Sequence, residues 1–191
     1  GEKLVNSLFI SYVAVTFSFR YYEKKVQNRF REVGHDVTSI HNYSDPVRAV
    51  EEAEAIVVGG GNTWQLLKMT IEKGLIEPVR KKVLSGTPYA GWSAGSNMAC
   101  STIRTTNDML ILEPESFNAF GFIRFQINPH YLDANPDGHA GETREQRIME
   151  FLEVNLDMYV AGLREGTMLK LEDDKLQLIG PRKMRVFRKG E

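Results

Sequence analysis

The chain is poor in cysteine. Cys100 is the one example among 191 residues, which excludes an intrachain disulfide framework and the cysteine-rich kind of metal site. A reducing compartment suits such a chain, and a cytoplasmic location is expected. An excess of charge of either sign is also missing. The 24 Lys and Arg residues face 25 Asp and Glu, for a formal net charge of −1, so there is no electrostatic footprint for nucleic acid or an anionic membrane. The densest basic run, Arg80-Lys81-Lys82, reads as the solvated face of a helix. No apolar run reaches membrane-spanning length, and residues 1–16 lack the basic-apolar-small order of a signal peptide. Repeats and low-complexity tracts are absent too. What is present is 42% apolar residues, enough to bury one good core, and one domain is the expectation.

Along the chain, apolar periodicity switches between strand and helix. Residues 8–15 are β-branched and aromatic enough for a buried strand. Phe19, Tyr22, Val26, Phe30 and Val33 then recur at helical spacing and Gly34 follows as a stop, predicting an amphipathic helix over 18–33. A second strand is expected at 36–40. Asp45-Pro46 opens a helix to residue 52, with the carboxylate as N-cap and proline in the first turn. A short apolar strand at 55–58 ends in Gly59-Gly60-Gly61, and helices follow over 63–73 and roughly 78–84. This alternation predicts a parallel sheet covered on both faces. The second half reads differently: strands at 109–112 and 122–127, a helix at 142–154, and short alternating strands at 158–163, 167–171, 175–179 and 184–188. The expected fold is an α/β three-layer sandwich with a mostly parallel central sheet and antiparallel additions near the C-terminus.

Residues 89–95 bring an apolar strand into Gly91-Trp92-Ser93-Ala94-Gly95 and then a helix-compatible stretch. This G-x-S-x-G order fits a nucleophile elbow, where a side chain on either flank would crowd the sharp turn that presents the serine. Taken alone it is equally an ordinary strand-to-helix connection. If the strand ending at Gly59-Gly60-Gly61-Asn62 is its neighbour, N–H groups of Gly61 or Asn62 can join that of Ala94 around an oxyanion. A phosphate-binding turn is the rival reading of the triple glycine, but no Lys-Ser/Thr pair and no G-x-G-x-x-G spacing accompany it.

A serine needs a base, and four histidines are available. His130 follows an apolar strand through Asn128-Pro129, which puts it at a strand's carboxyl end, where ligands sit in such sheets. His139, in a glycine-flanked loop, is second. His35 belongs at the opposite end of the sheet, and His41 reads equally as surface. For the acid that orients the imidazole, the sequence leaves Asp108, Asp133, Asp137, Glu142 and Glu165 open.

Five segments taken together resemble the peptidase E family of α-aspartyl dipeptidases: Gly59-Gly60-Gly61-Asn62-Thr63, Gly91-Trp92-Ser93-Ala94-Gly95, Arg104-Thr105-Thr106-Asn107-Asp108, Asn128-Pro129-His130 and Gly141-Glu142-Thr143-Arg144-Glu145. The resemblance runs from about residue 8 to near the C-terminus. It implies a serine peptidase on a glutamine-amidotransferase-like fold, hydrolysing Asp-Xaa dipeptides through an acyl-enzyme without metal or cofactor, as a monomer or homodimer. Ser93 would be the nucleophile, His130 the base, Asp108 its acidic partner with Glu165 in reserve, and Arg144 the reader of the aspartyl side chain, against the alternative of a salt bridge on a helix shared with Glu142, Glu145 and Arg147. The same resemblance leads us to expect one catalytic domain over residues 1–191, without the strand and helix that the family carries ahead of the segment at 8–15. The competing functions are a cyanophycinase-like hydrolase of aspartyl polymers and a non-catalytic module that binds an acidic ligand.

Overall fold

The computed structural model describes residues 5–190. Four parallel strands form the main sheet in the order β2-β1-β3-β4: β1 (Asn6–Ile10), β2 (Asp36–Ser39), β3 (Ala55–Val58) and β4 (Tyr89–Gly91). Apolar side chains at Phe9, Ile10, Val37, Ile56 and Val58 are wholly or almost wholly buried, because crossover helices cover a parallel sheet. Those helices are α1 (Phe19–Arg31), α2 (Pro46–Glu52), α3 (Thr63–Glu72) and α4 (Ile76–Leu84).

The helix boundaries follow their caps. Ser18 accepts from the Tyr21 N–H at the start of α1, and Asp45 accepts from the Arg48 N–H with Pro46 in the first turn of α2. Asn62 does the same for α3 through the Gln65 N–H. Each such cap is worth about 1 kcal/mol of helix stability. Beyond α1 the chain reverses at Gly34, whose φ of 79° suits glycine.

The elbow leads into α5 (Ala94–Ala99), and the chain then forms a second sheet, ordered β5-β6-β9. Here β5 (Gln126–Pro129) pairs in parallel with β6 (Val160–Leu163), which pairs antiparallel with β9 (Arg185–Phe187). Helix α6 (Arg144–Val154) opens with a reciprocal capping box between Thr143 and Gln146. An antiparallel ribbon of β7 (Met168–Glu172) and β8 (Lys175–Ile179) completes the C-terminal additions. The expected α/β architecture is therefore present, with one difference: β4 and β5 belong to separate sheets, joined through α5.

Three strand expectations shift. The strand read at 8–15 ends at Ile10, and residues 12–14 turn across the sheet's end with their side chains buried. Residues 109–112 form no strand; Met109, Leu110 and Ile111 are exposed, and the stretch is tied to α3 by side chains that reach its backbone. The strand read at 122–127 lies instead at Gln126–Pro129, because Phe122 and Ile123 turn back to bond the Ala99 carbonyl. Among the described residues, no helix is long and apolar enough to cross a membrane.

Candidate active site

The candidate site is built from the carboxyl ends of β3 and β4 in one sheet and of β5 and β6 in the other, which the 104–109 loop links through Asp108 to the start of α3 and through Asn107 to the Pro129 carbonyl. Strands β3 and β4 are parallel neighbours with Val58 opposite Gly91, so the triple glycine and the elbow leave the sheet side by side. Ser93 has φ 54° and ψ −113°, a conformation that costs a non-glycine residue about 1–3 kcal/mol and persists only where its surroundings enforce it. Bare glycines on every side let it form. A Cβ on Gly60 would come within 2.8 Å of the Ser93 Cβ, one on Gly91 within 2.6 Å of the Gly95 carbonyl oxygen, and one on Gly95 would strike the Val58 carbonyl.

Backbone donors gather at the same place. Gly95 N–H bonds the Trp92 carbonyl, and Ser96 and Asn97 bond that of Ser93. Ala94 N–H has no partner among the described residues. Asn62 N–H is already donated to the Val13 carbonyl at 3.4 Å, whereas Gly61 N–H has no such acceptor. The Gly60 carbonyl is held in turn by the Tyr22 hydroxyl at 2.8 Å.

His130 follows β5 and also has a left-handed backbone, φ 55°. Because β5 and β6 run parallel with Pro129 opposite Leu163, the residues just past each strand end are brought together. The Tyr131 N–H closes on the Leu163 carbonyl at 3.1 Å. His130 Nδ1 is hydrogen-bonded to Glu165 Oε1, and both side chains are about half exposed. A proton on Nδ1 shared with this carboxylate leaves Nε2 as the ring's acceptor. Among the described residues no hydrogen bond links Ser93 Oγ to His130.

Asp108 is engaged elsewhere. Its Oδ2 accepts from the Thr63 N–H at 2.7 Å, the Thr63 hydroxyl at 2.5 Å and the Thr106 hydroxyl at 3.2 Å. This places a carboxylate at the positive end of α3, where the helix dipole favours it. The carboxylate bonded to His130 is thus Glu165, and that of Asp108 binds the start of α3.

Arg144, first residue of α6, donates from Nη1 to Asn107 Oδ1 at 2.7 Å. It does not share an ion pair with the acids beside it: Arg147 meets Glu142 at 3.6 Å and Arg185 meets Glu145 at 2.8 Å. Partial burial, then the like charge of Arg147, lowers the pKa of Arg144 from its ordinary value, while the Asp108 charge raises it. The guanidinium remains a cation.

The other histidines stand apart. His35 immediately precedes β2, at the far end of the sheet, with its Nδ1 buried and without a hydrogen-bond partner. His41 bonds the Ser39 hydroxyl at 2.6 Å in a buried group with Glu23 and Ser11. His139 sits on the exposed loop before α6. Among the described residues no cluster of His, Cys, Asp and Glu could hold a metal ion. Reading the sequence by residue type passes over Asn107 and Tyr22. The first is an uncharged member of a polar run, and the second fits the core spacing of α1.

Residues 2–179 match the model of peptidase family S51. The chain belongs to this family. A peptidase E from Nostoc sp. is 48% identical over 191 residues, all of this chain and 79% of that protein, and one from Salmonella newport is 47% identical over 186 residues, 97% of this chain and 81% of that one. The crystal structure of a peptidase from an acI-B1 Actinobacterium superposes with a TM-score of 0.64 at 17% identity, covering 97% of this chain and 81% of the other, which supports the fold. As an S51 member the chain is a serine peptidase, a hydrolase of peptide bonds.

Proposed function

We propose that this peptidase hydrolyses dipeptides that begin with aspartate, acting on small molecules in the cytoplasm. Ser93 is the nucleophile, His130 the base, Glu165 the acid that orients His130, and the N–H groups of Gly61 and Ala94 the oxyanion donors. The observation that carries the aspartyl preference is Arg144. It is a partly buried cation held by a neutral amide and has no ion-pair partner among the described residues. Such a group gains most from a carboxylate supplied by the substrate, and a guanidinium can bind one through two parallel hydrogen bonds.

The chemistry follows from the same atoms. The Ser93 hydroxyl adds to the scissile carbonyl and its proton passes to His130 Nε2, while Glu165 stabilises the resulting imidazolium. The oxygen that becomes anionic is met by backbone donors, each worth about 2.7–4 kcal/mol of barrier. Collapse breaks the C–N bond, the amine of the second residue takes the proton from His130, and an aspartyl ester remains on Ser93. Water, deprotonated by the same imidazole, then releases aspartate and restores the serine. The strained elbow supports Ser93 in this role, and the hydrogen bond on Nδ1 supports His130 and Glu165 in theirs.

The test is a dipeptide panel varied at the first position. Asp-Leu is expected to be cleaved well ahead of Asn-Leu and Ala-Leu. Ser93→Ala should abolish turnover with the fold intact by circular dichroism, and Arg144→Ala should erase the preference. Equal wild-type rates on the three dipeptides would refute the aspartyl reading, and residual wild-type-like turnover in Ser93→Ala would refute the nucleophile.

A further inference from the structure

Asn107 stands between the two halves of the site. Its Nδ2 donates to the Pro129 carbonyl at 2.6 Å, one residue before His130. Its Oδ1 accepts from Arg144 Nη1 at 2.7 Å and from Asn128 Nδ2 at 2.8 Å. Asn128 is anchored in turn by donating to the Thr105 carbonyl at 2.9 Å. This pattern fixes the orientation of the amide: turned over, it would set N–H groups against a guanidinium and an oxygen against a carbonyl.

Few side chains can do both tasks from one position. An aspartate would still accept from Arg144, but it would place a second oxygen against the Pro129 carbonyl and would neutralise the cation. An apolar residue of that size would leave a carbonyl and a guanidinium without partners. The nearby acids make their direct contacts elsewhere, Glu142 with Arg147 and Glu145 with Arg185, while Asp108 bonds Thr63 and Thr106 through Oδ2 and reaches Arg144 through its charge. Asn107 is therefore a neutral acceptor that holds Arg144 without forming an ion pair with it.

We infer that Asn107 is a positioning residue for substrate selection. Its neutral amide aims the Arg144 guanidinium while fixing the carbonyl beside His130, so that the contact to the substrate carboxylate and the base keep one spacing. The inference rests on the aspartyl-dipeptidase reading and adds to it the group that makes Arg144 available.

The test compares wild type, Asn107→Asp and Asn107→Ala on Asp-Leu and its neutral isostere Asn-Leu. Wild type is expected to prefer Asp-Leu. Both variants should lower the ratio of the two kcat/KM values by at least about tenfold, chiefly through a higher KM for Asp-Leu, with Asn107→Asp losing more. Any disturbance of the His130 segment lowers kcat for both dipeptides together and cancels in the ratio. In an Arg144→Ala background, Asn107→Asp should change the ratio no further.

An unchanged ratio in either folded variant, with wild type still preferring Asp-Leu, overturns the positioning role and leaves the substrate reading standing. A wild type without preference removes the substrate reading and this inference with it. Should Asn107→Asp fail to fold, Asn107→Ala decides by the same ratio.

Discussion

Asp108 and Glu165 are both acids at the rim of the site, and their surroundings give them different work. Asp108 receives three hydrogen bonds from Thr63 and Thr106, which use a single one of its oxygens and tie the 104–109 loop to α3. Glu165 is more exposed and bonds the ring of His130. Replacing each should separate the two roles. Glu165→Gln is expected to lower kcat by roughly 10²–10⁴, because the amide no longer favours the imidazolium or its tautomer, and to leave the urea midpoint within error of wild type. Asp108→Ala should do the reverse in emphasis, destabilising the fold by about 1.5–3 kcal/mol as charged hydrogen bonds are lost. If Asp108→Ala kept full stability and Glu165→Gln full turnover, the division of labour would be wrong. The residues by themselves leave the acid open, and the family resemblance puts Asp108 first with Glu165 in reserve, whereas the acid bonded to His130 is Glu165. That choice depends on the register of β5 against β6, which places residue 165 beside residue 130, and no local pattern encodes a pairing of segments 35 residues apart.

At the scale of elements, the most legible features are those whose causes are local. The Asp45-Pro46 cap marks where α2 starts, and the glycines around Ser93 mark the elbow, because both depend on residues within one turn of the chain. Residues 109–112 mislead for the opposite reason: an apolar run suggests a strand, but Met109 is 80% exposed and the segment is held as a loop by Asn62 and Trp64 bonding the carbonyls of Met109 and Asp108. The elbow itself makes a sharp prediction. In Gly60→Ala the new methyl would lie 2.8 Å from the Ser93 Cβ and 3.0 Å from the Trp92 ring, so the elbow has to shift to admit it. We expect about 1–3 kcal/mol of destabilisation together with a fall in kcat of more than tenfold as Ser93 is displaced. Gly34→Ala is the control. It meets nothing within 4 Å, so its left-handed backbone should cost stability and leave kcat unchanged. Comparable kcat losses in the two variants would show that the elbow is not tuned by close packing at Gly60.

On the scale of the whole molecule, α5 forms a joint between the two sheets. Asn97 at its centre donates to the Ile127 carbonyl of β5 at 2.8 Å, and the Ile127 N–H returns to Cys100 Sγ at 3.2 Å just past its end. At the other end of the helix, the Tyr89 hydroxyl donates to the Gly95 carbonyl at 2.7 Å. Burial pushes the Cys100 thiol from its ordinary 9.0 up to about 12, with the Ile127 N–H opposing, and burial raises the Tyr89 phenol well above its ordinary 10.0. Both groups are neutral when protonated, so between pH 9 and 12 the unfolded chain releases protons that the folded chain retains. Their contribution is complete below pH 9 and is lost as pH rises through that window, at up to about 1.4 kcal/mol per pH unit for each group. Urea midpoints measured at pH 8, 10 and 11 should therefore fall steeply, and Cys100→Ala, less stable at pH 8, should show a shallower slope. The native thiol should also resist Ellman's reagent at pH 8 and react once urea unfolds the chain. A flat profile from pH 8 to 11, or rapid labelling of the folded protein, would mean that the joint between the two sheets opens readily in solution. Ser93 and His130, the proposed nucleophile and base, stand on opposite sides of that joint, so on the proposed mechanism such an opening would carry the loss of activity with it.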